Sequence, residues 1–187
     1  FILISFPLLM KAQFSDDFSD GDFTNNPTWI GDVSRFDTNL TLLHHSLDTI
    51  NGESYLSTEC KVVKNASWEF DVELLFDPSI SNYSKVYLMS DKSDLTSNLY
   101  GYFVKIGGES GSVDNVSLFS QIANVETKII DGVIGLAASN PDLKIKVTRD
   151  SIGNWELFVD TSNSYFSQGI AFNNIVVNSG TQFWNGT

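Results

Sequence analysis

The sequence predicts an all-β protein built as an antiparallel sandwich of two sheets. Several segments alternate apolar and polar residues with a period of two, which is the pattern of a strand with one buried face. Turn-forming Gly, Pro, Asn and Asp separate these segments at short intervals, and no segment shows a convincing helical period. Many short strands joined by polar turns favour a sandwich or barrel over a parallel α/β fold.

The clearest strand is residues 67–76, with the sequence SWEFDVELLF. Its apolar residues fall on one face: Trp68, Phe70, Val72, Leu74 and Phe76. Glu69, Asp71 and Glu73 fall on the other face, so the strand is expected to have one face in the core and one in solvent.

Five further segments show the same alternation and are predicted strands: residues 85–90, 100–106, 116–122, 143–148 and 154–159. The last two are expected to form a hairpin, since a short loop ending in Gly153 separates them. Trp155, Leu157 and Val159 form one apolar face of the second strand and are expected in the core.

The bulk composition restricts the functional classes. The 187 residues are 42% hydrophobic and 13% aromatic, enough for one domain with a substantial core. The net charge of −12 repels phosphate backbones and anionic lipids, so nucleic-acid and membrane-surface binding are not expected. Neutral glycans and calcium are compatible with such a surface.

The N-terminal residues predict where the protein is located relative to the cell. The apolar run at residues 1–10 is too short to span a bilayer and has the composition of the hydrophobic part of a secretory signal peptide. We therefore expect residues 1–13 to be a signal peptide remnant and residues 14–187 to form one domain. The protein is expected to be secreted or held at the cell surface.

A set of motifs resembles a known family. The segments are FSDDFSDGDF at 14–23 with Trp29 following, the strand at 67–76, VYLMSD at 86–91, GYFVKIGG at 101–108, KIKVTRD at 144–150 and GNWELFVD at 153–160. Together they resemble the N-terminal laminin-G-like domain of exported bacterial surface proteins, some of which also carry lamin-tail domains. The last two resemble the strand pair of concanavalin-A-like sandwiches in general.

The resemblance extends over most of residues 14–170 and implies a jelly roll of two antiparallel sheets with no established catalysis. Domains of this kind usually end in a strand rich in Phe and Asp that pairs beside the N-terminal strand. No such strand follows residues 183–187. The resemblance therefore implies that the chain lacks its last C-terminal strands.

Glu69, Asp71 and Glu73 suggest an alternative function, because their E-x-D-x-E pattern resembles the catalytic strand of laminarinase and lichenase β-glucanases. That resemblance makes Glu69 the nucleophile, Asp71 its helper and Glu73 the acid/base. A retaining mechanism needs carboxyl groups about 5 Å apart, whereas residues i and i+4 of a strand are about 13 Å apart at Cα. The residues alone favour a solvated strand face over a catalytic site.

An acidic segment near the start of the domain predicts a calcium site. Asp17, Asp20 and Asp22 lie around Gly21, and hard carboxylate oxygens close to a tight turn suit this ion. A turn with solvated aspartates is the competing interpretation. Structural calcium is the only cofactor that the sequence suggests.

Exposed aromatic residues are the expected sugar contacts, because pyranose rings stack on flat π faces. The aromatic pool is Trp29, Tyr83, Tyr100, Tyr102, Trp155 and Trp184. From it we select Trp29, Tyr100 and Tyr102. The predicted function is a non-catalytic recognition or adhesion module within a larger protein, with a glycan or cell-surface ligand. A β-glucan hydrolase and a structural spacer without a ligand remain the alternatives.

Overall fold

A computed structural model describes residues 15–39, 41–46, 52–175 and 183–186. The predicted signal peptide, residues 1–13, lies outside the described residues, so its assignment stays a prediction. In the part of the chain that is described, no helix is long and apolar enough to cross a membrane.

Strands dominate the described residues, and the helical element among them is a three-residue 3-10 turn at Val33–Arg35. The strands are β1 (Ile30–Gly31), β2 (Phe36–Asn39), β3 (Leu42–His45), β4 (Leu56–Glu59), β5 (Ala66–Glu73), β6 (Tyr83–Ser90), β7 (Leu99–Gly107), β8 (Val116–Ala123), β9 (Val125–Ile130), β10 (Asp142–Arg149), β11 (Asn154–Asp160), β12 (Tyr165–Phe172) and β13 (Phe183–Gly186).

These strands form two main sheets. A seven-stranded sheet has the order β1-β4-β13-β6-β7-β8-β9, and a four-stranded sheet has the order β12-β11-β10-β5. Strands β2 and β3 form a small separate hairpin. Every strand pair is antiparallel within the residues described. The predicted fold class, an all-β antiparallel sandwich of two sheets, is confirmed.

The strands predicted from alternation are present. The predicted hairpin is β10–β11, in which Ile145 lies opposite Val159 and Val147 opposite Leu157. Along β5 buried and exposed residues alternate, with Trp68 in the core. The sequence did not predict β1, β2, β4, β9, β12 or the C-terminal strand β13. Strand β13 pairs with both β4 and β6.

The main core lies between the two sheets, and Trp155 of β11 is at its centre. Its ring stacks on Trp68 of β5 at 5.8 Å between centroids and contacts Tyr102 of β7 at 4.4 Å. The indole Nε1 donates a hydrogen bond to the carbonyl oxygen of Asn173 at 2.9 Å. One side chain thus joins both sheets and the segment that follows β12.

Arg149 closes one end of this core although it is a cation. The residue is 4% exposed, and its guanidinium carbon lies 5.3 Å from the ring centroid of Trp155. The guanidinium donates hydrogen bonds to the carbonyl of Val63 and to Oδ1 of Asn174, both neutral acceptors. Burial lowers the pKa of Arg149. The side chain therefore ties two connecting segments to the end of β10.

Strand alternation decides which residues of the seven-stranded sheet face away from the core. Val86, Val104 and Leu118 lie opposite one another across β6, β7 and β8 and are buried between the sheets. Their neighbours Lys85 and Lys105 therefore point to the outer face of the sheet. This outer face carries the candidate functional site.

Candidate functional site

The candidate site is the outer face of strands β6 to β9, which we call the lysine–aromatic face. It is defined by Tyr83, Lys85, Tyr87, Phe103, Lys105, Phe119, Gln121, Glu126 and Lys128. Register places these residues in adjacent rows: Lys85 opposite Lys105, Tyr87 opposite Phe103, Phe103 opposite Phe119, and Gln121 opposite Glu126. Side chains in opposed positions share one face of a sheet, so the rows lie side by side on this face. Tyr87 and Phe103 are buried there in a cluster with Leu95 and Leu99.

The floor of this face is aromatic and closely packed. Phe103 is fully buried and stacks on the half-buried Phe119 at 5.2 Å with an interplanar angle of 5°. Tyr87 contacts Phe103 at 4.9 Å between centroids. The Tyr87 hydroxyl donates a 2.6 Å hydrogen bond to Oε1 of Gln121. Burial raises the pKa of Tyr87, so the phenol stays protonated and keeps this bond at any ordinary pH.

The side chain of Lys85 extends over the aromatic rings of this face. Its Nζ forms an ion pair with Oε1 of Glu126 at 2.7 Å and lies 5.1 Å from the ring centroid of Phe103. Lys85 belongs to β6 and Glu126 to β9, so the pair spans the face from one side to the other. The cation is thereby neutralised and held over an aromatic ring.

Lys128 is the second paired cation. Its Nζ contacts Oε1 of Glu109 at 3.0 Å and Oδ1 of Asp131 at 2.9 Å. Burial opposes the charged form, but hydrogen bonds with Asp131 and Glu109 outweigh it and raise the pKa of Lys128. The hydrogen bond from Lys128 in turn lowers the pKa of Asp131. This lysine has two anionic partners.

Lys105 differs from both neighbours. Its Nζ lies 4.1 Å from the ring centroid of Tyr83 and 5.8 Å from that of Phe119. Among the described residues its ammonium has no hydrogen bond or ion pair, and burial lowers the pKa of Lys105. Gly108, at φ +87°, leaves room for it, since a side chain there would overlap Lys105 Cε. Lys105 is thus a half-buried cation that lies against aromatic rings, and its ammonium donors have no acceptor among the residues that the structure describes.

The arrangement combines ring faces, fixed hydrogen-bonding groups and a balanced charge. Lys85, Lys105 and Lys128 are matched by the three carboxylates Glu109, Glu126 and Asp131. In a chain of net charge −12 this face is therefore not acidic. Flat apolar groups beside convergent polar groups are the chemistry of a site for small polar ligands.

Two of the predicted sugar contacts are wrong. Trp29 is 2% exposed, and its Nε1 donates to Oδ2 of Asp16 at 2.8 Å. Tyr102 is fully buried in the core, and its hydroxyl donates to Oδ1 of Asn173 at 2.7 Å. Each polar tip finds a partner inside the protein, so the ring is in the core rather than at the surface. Tyr100 is 42% exposed and stays a prediction.

The residues predicted to hold calcium do not form a ligand set. Asp17, Asp20 and Asp22 each accept a hydrogen bond from the backbone N–H two residues further on. Gly21 has φ +75°, as a tight turn requires. No group of three or more His, Cys, Asp or Glu that could hold a metal ion occurs within the described ranges. Each carboxylate thus accepts hydrogen bonds within its own local turn. Calcium binding by the chain stays a prediction.

The turn at Asp22 and a similar turn at Asp150, before β11, predict how stability depends on pH. Hydrogen bonds from Asn25 and Thr24 lower the pKa of Asp22 to about 2, and hydrogen bonds from Asn154 lower that of Asp150. A carboxyl group with a lowered folded-state pKa stabilises the protein above its unfolded pKa, near 4. That stabilisation is lost as the pH falls towards 2. We expect the melting temperature to fall over this range, and less steeply in the double variant Asp22→Asn, Asp150→Asn. Equal slopes in both proteins would contradict the assignment.

The carboxylates of the alternative catalytic site lie on the opposite sheet. Glu69, Asp71 and Glu73 are exposed on the outer face of β5, an edge strand of the four-stranded sheet. Glu69 Oε1 forms an ion pair with Lys146 Nζ at 2.8 Å, and Asp71 lies opposite Lys144. Cross-strand pairs of opposite charge are typical of a solvated sheet surface.

Two surface depressions lie away from these carboxylates. One of about 410 Å³ is lined by Pro27, Thr28, Ile30, Ser57, Thr58 and Glu59. The other, of about 290 Å³, is lined by Val133, Leu136, Val159, Thr161, Phe166, Ser167 and Gln168. Neither contains Glu69, Asp71 or Glu73, so neither provides these carboxylates with a substrate cleft.

Most of the lysine–aromatic face was not predicted from the sequence, although the sequence contains a signal for it. Lys85 and Tyr87 are two residues apart in one predicted strand, and Phe103 and Lys105 two apart in the next. Residues at i and i+2 share a face, so both strands place a lysine beside an aromatic ring. Tyr83 was in the aromatic pool but was not selected.

Comparison with known proteins identifies the fold. No known protein family matches the chain, and no curated protein matches it either. The structure is similar to a solved structure described as carbohydrate binding module CBM66 from Bacillus subtilis. The TM-score is 0.51 at 12% sequence identity, over 85% of this chain and 86% of that one. At this identity the likeness shows a shared β-sandwich fold.

Proposed function

We propose that the protein is a non-catalytic carbohydrate-recognition module that binds a glycan on the lysine–aromatic face. The observation that carries the proposal is the half-buried Lys105 ammonium, held between the rings of Tyr83 and Phe119 with no hydrogen-bond or ion-pair partner in the described residues. A sugar can contact both the rings and the ammonium, because its C–H faces stack on rings and its oxygens accept hydrogen bonds.

Rigidity supports the same function. The stack of Phe119 on Phe103, the bond between Tyr87 and Gln121 and the pair of Lys85 with Glu126 fix the surface before a ligand arrives. A surface that is already ordered loses little conformational entropy on binding, which raises affinity for a small ligand. The fold shared with a protein named as a carbohydrate binding module is further support.

The proposed setting is outside the cell, as one module of a larger surface or secreted protein. The apolar run at residues 1–10 and the net charge of −12 support export and a soluble extracellular domain. Adhesion or substrate targeting on a glycan surface is the role that fits a module of this kind.

The hydrolase and the spacer are less well supported. Glu69 is paired with Lys146 on an exposed sheet face, whereas a glycosidase needs two carboxyl groups flanking a bound sugar. A spacer without a ligand needs no half-buried cation with free donors, which costs desolvation energy without a compensating bond.

One experiment separates the three functions. The chain is tested on a glycan array and in a β-glucan reducing-sugar assay, each with and without calcium. Binding without turnover is the expected result. Sugar release that disappears in Glu69→Gln would make the protein a hydrolase, and absence of both binding and turnover would favour the spacer. Binding that requires calcium would restore the predicted metal site near Asp17, Asp20 and Asp22.

A further inference from the structure

We infer that the glycan bound on the lysine–aromatic face carries one negative charge, a carboxylate or a sulfate ester, on the sugar residue that contacts Lys105. This inference rests on the proposed function and adds the chemical class of the ligand.

The charges of the face single out Lys105. Lys85 is neutralised by Glu126, and Lys128 contacts two carboxylates at once. The third cation, Lys105, lies against the rings of Tyr83 and Phe119 and has no direct carboxylate contact in the described part of the chain. Glu126 and Glu109 act on its charge only at longer range. The three carboxylates balance the three lysines in number, but within the described residues they contact Lys85 and Lys128 directly and leave the ammonium of Lys105 without a direct anionic partner.

The surroundings of Lys105 favour an anion over a neutral hydroxyl. The ammonium has three N–H donors, and ring faces attract the charge without accepting directed hydrogen bonds as an oxygen does. The Lys105 side chain is half-buried. Hydrogen bonds between charged groups are shorter than those between neutral groups and about twice as strong. An anionic oxygen at this point gains more from Lys105 than any hydroxyl group.

The rest of the molecule limits the ligand to a single charge at this position. Glu126 lies on the face, Glu109 and Asp131 border it, and the chain carries a net charge of −12. A polyanion would place further charges against these carboxylates and within the Debye length of about 8 Å. A single acidic sugar unit, within or at the end of an otherwise neutral oligosaccharide, avoids this repulsion.

The test compares matched oligosaccharides by isothermal titration calorimetry. The set contains a neutral glucan oligomer, the same oligomer ending in glucuronic acid, the same oligomer bearing one sulfate ester, and a polyuronate. We expect a singly charged oligomer to bind about tenfold more tightly than the neutral one, and the polyuronate to bind more weakly than that oligomer. The carboxylate and sulfate arms identify which anion is preferred.

The variant Lys105→Gln is expected to weaken binding of the singly charged oligomer more than binding of the neutral oligomer, and so to remove the preference. Lys144→Gln, an exposed lysine of the four-stranded sheet, is the matched control and should retain the preference. The melting temperature of each variant verifies folding. Equal affinity of the wild-type protein for neutral and charged oligomers would overturn the inference but leave the proposed function intact. Failure of every oligomer to bind would overturn both.

Discussion

Replacing Trp155 with Ala is expected to lower the free energy of unfolding by about 3–5 kcal/mol. The fully buried indole stacks on Trp68, contacts Tyr102 and supports the guanidinium of Arg149. The substitution leaves a cavity between the two sheets, and it also leaves the carbonyl oxygen of Asn173 without its donor.

Urea denaturation monitored by circular dichroism measures this effect. Trp155→Phe keeps most of the ring and loses the hydrogen bond to Asn173, so a smaller loss is expected. Phe158→Ala is the control, because Phe158 is on the same strand but faces outward. If Trp155→Ala costs no more than Phe158→Ala, Trp155 is not the centre of the core.

Phe119→Ala is expected to weaken glycan binding by about 2 kcal/mol, a fall of roughly thirtyfold in affinity. Three features of the site depend on this ring: it is the half-buried part of the aromatic floor, it stacks on Phe103, and it lies 5.8 Å from the ammonium of Lys105. Its removal takes away a stacking surface and one of the two rings that hold the cation.

Titration calorimetry with the best glycan from the array measures the loss. Phe119→Leu keeps apolar volume but has no flat ring, so it should lose affinity almost as much as Phe119→Ala. Phe158→Ala alters a half-exposed ring on the other sheet and should bind as the wild type does. Equal loss in Phe119→Ala and Phe158→Ala would mean that the site is not on the lysine–aromatic face.

The fold could be predicted because strand alternation is a local signal. The apolar face of β5 and the turn before β11 are both present in short stretches of sequence, and the structure confirms both. Strand β12 was missed because Phe166, Ile170 and Phe172 are exposed, so its sequence lacks the alternation of a half-buried strand. The short strand β13 pairs with β4 and β6, and such long-range pairing leaves little local signal.

The candidate site was harder to predict because it depends on pairing between strands. Trp29 and Tyr102 look like surface aromatics in the sequence, but Asp16 and Asn173 provide buried partners that only the fold brings near. Lys105 is an ordinary strand lysine until Tyr83 and Phe119 lie on either side of it and the nearby carboxylates are engaged by Lys85 and Lys128. Which of these lysines has no direct anionic partner among the described residues follows from register rather than from composition.

The most direct test of a glycan site on this face is a map of backbone amide chemical shifts during titration with the bound glycan. We expect the largest changes at Lys105, Phe119 and Gln121 on strands β7 and β8. Changes confined to Lys146 and Phe158, on the outer face of the four-stranded sheet, would place the ligand on the opposite side of the molecule and contradict the proposed site.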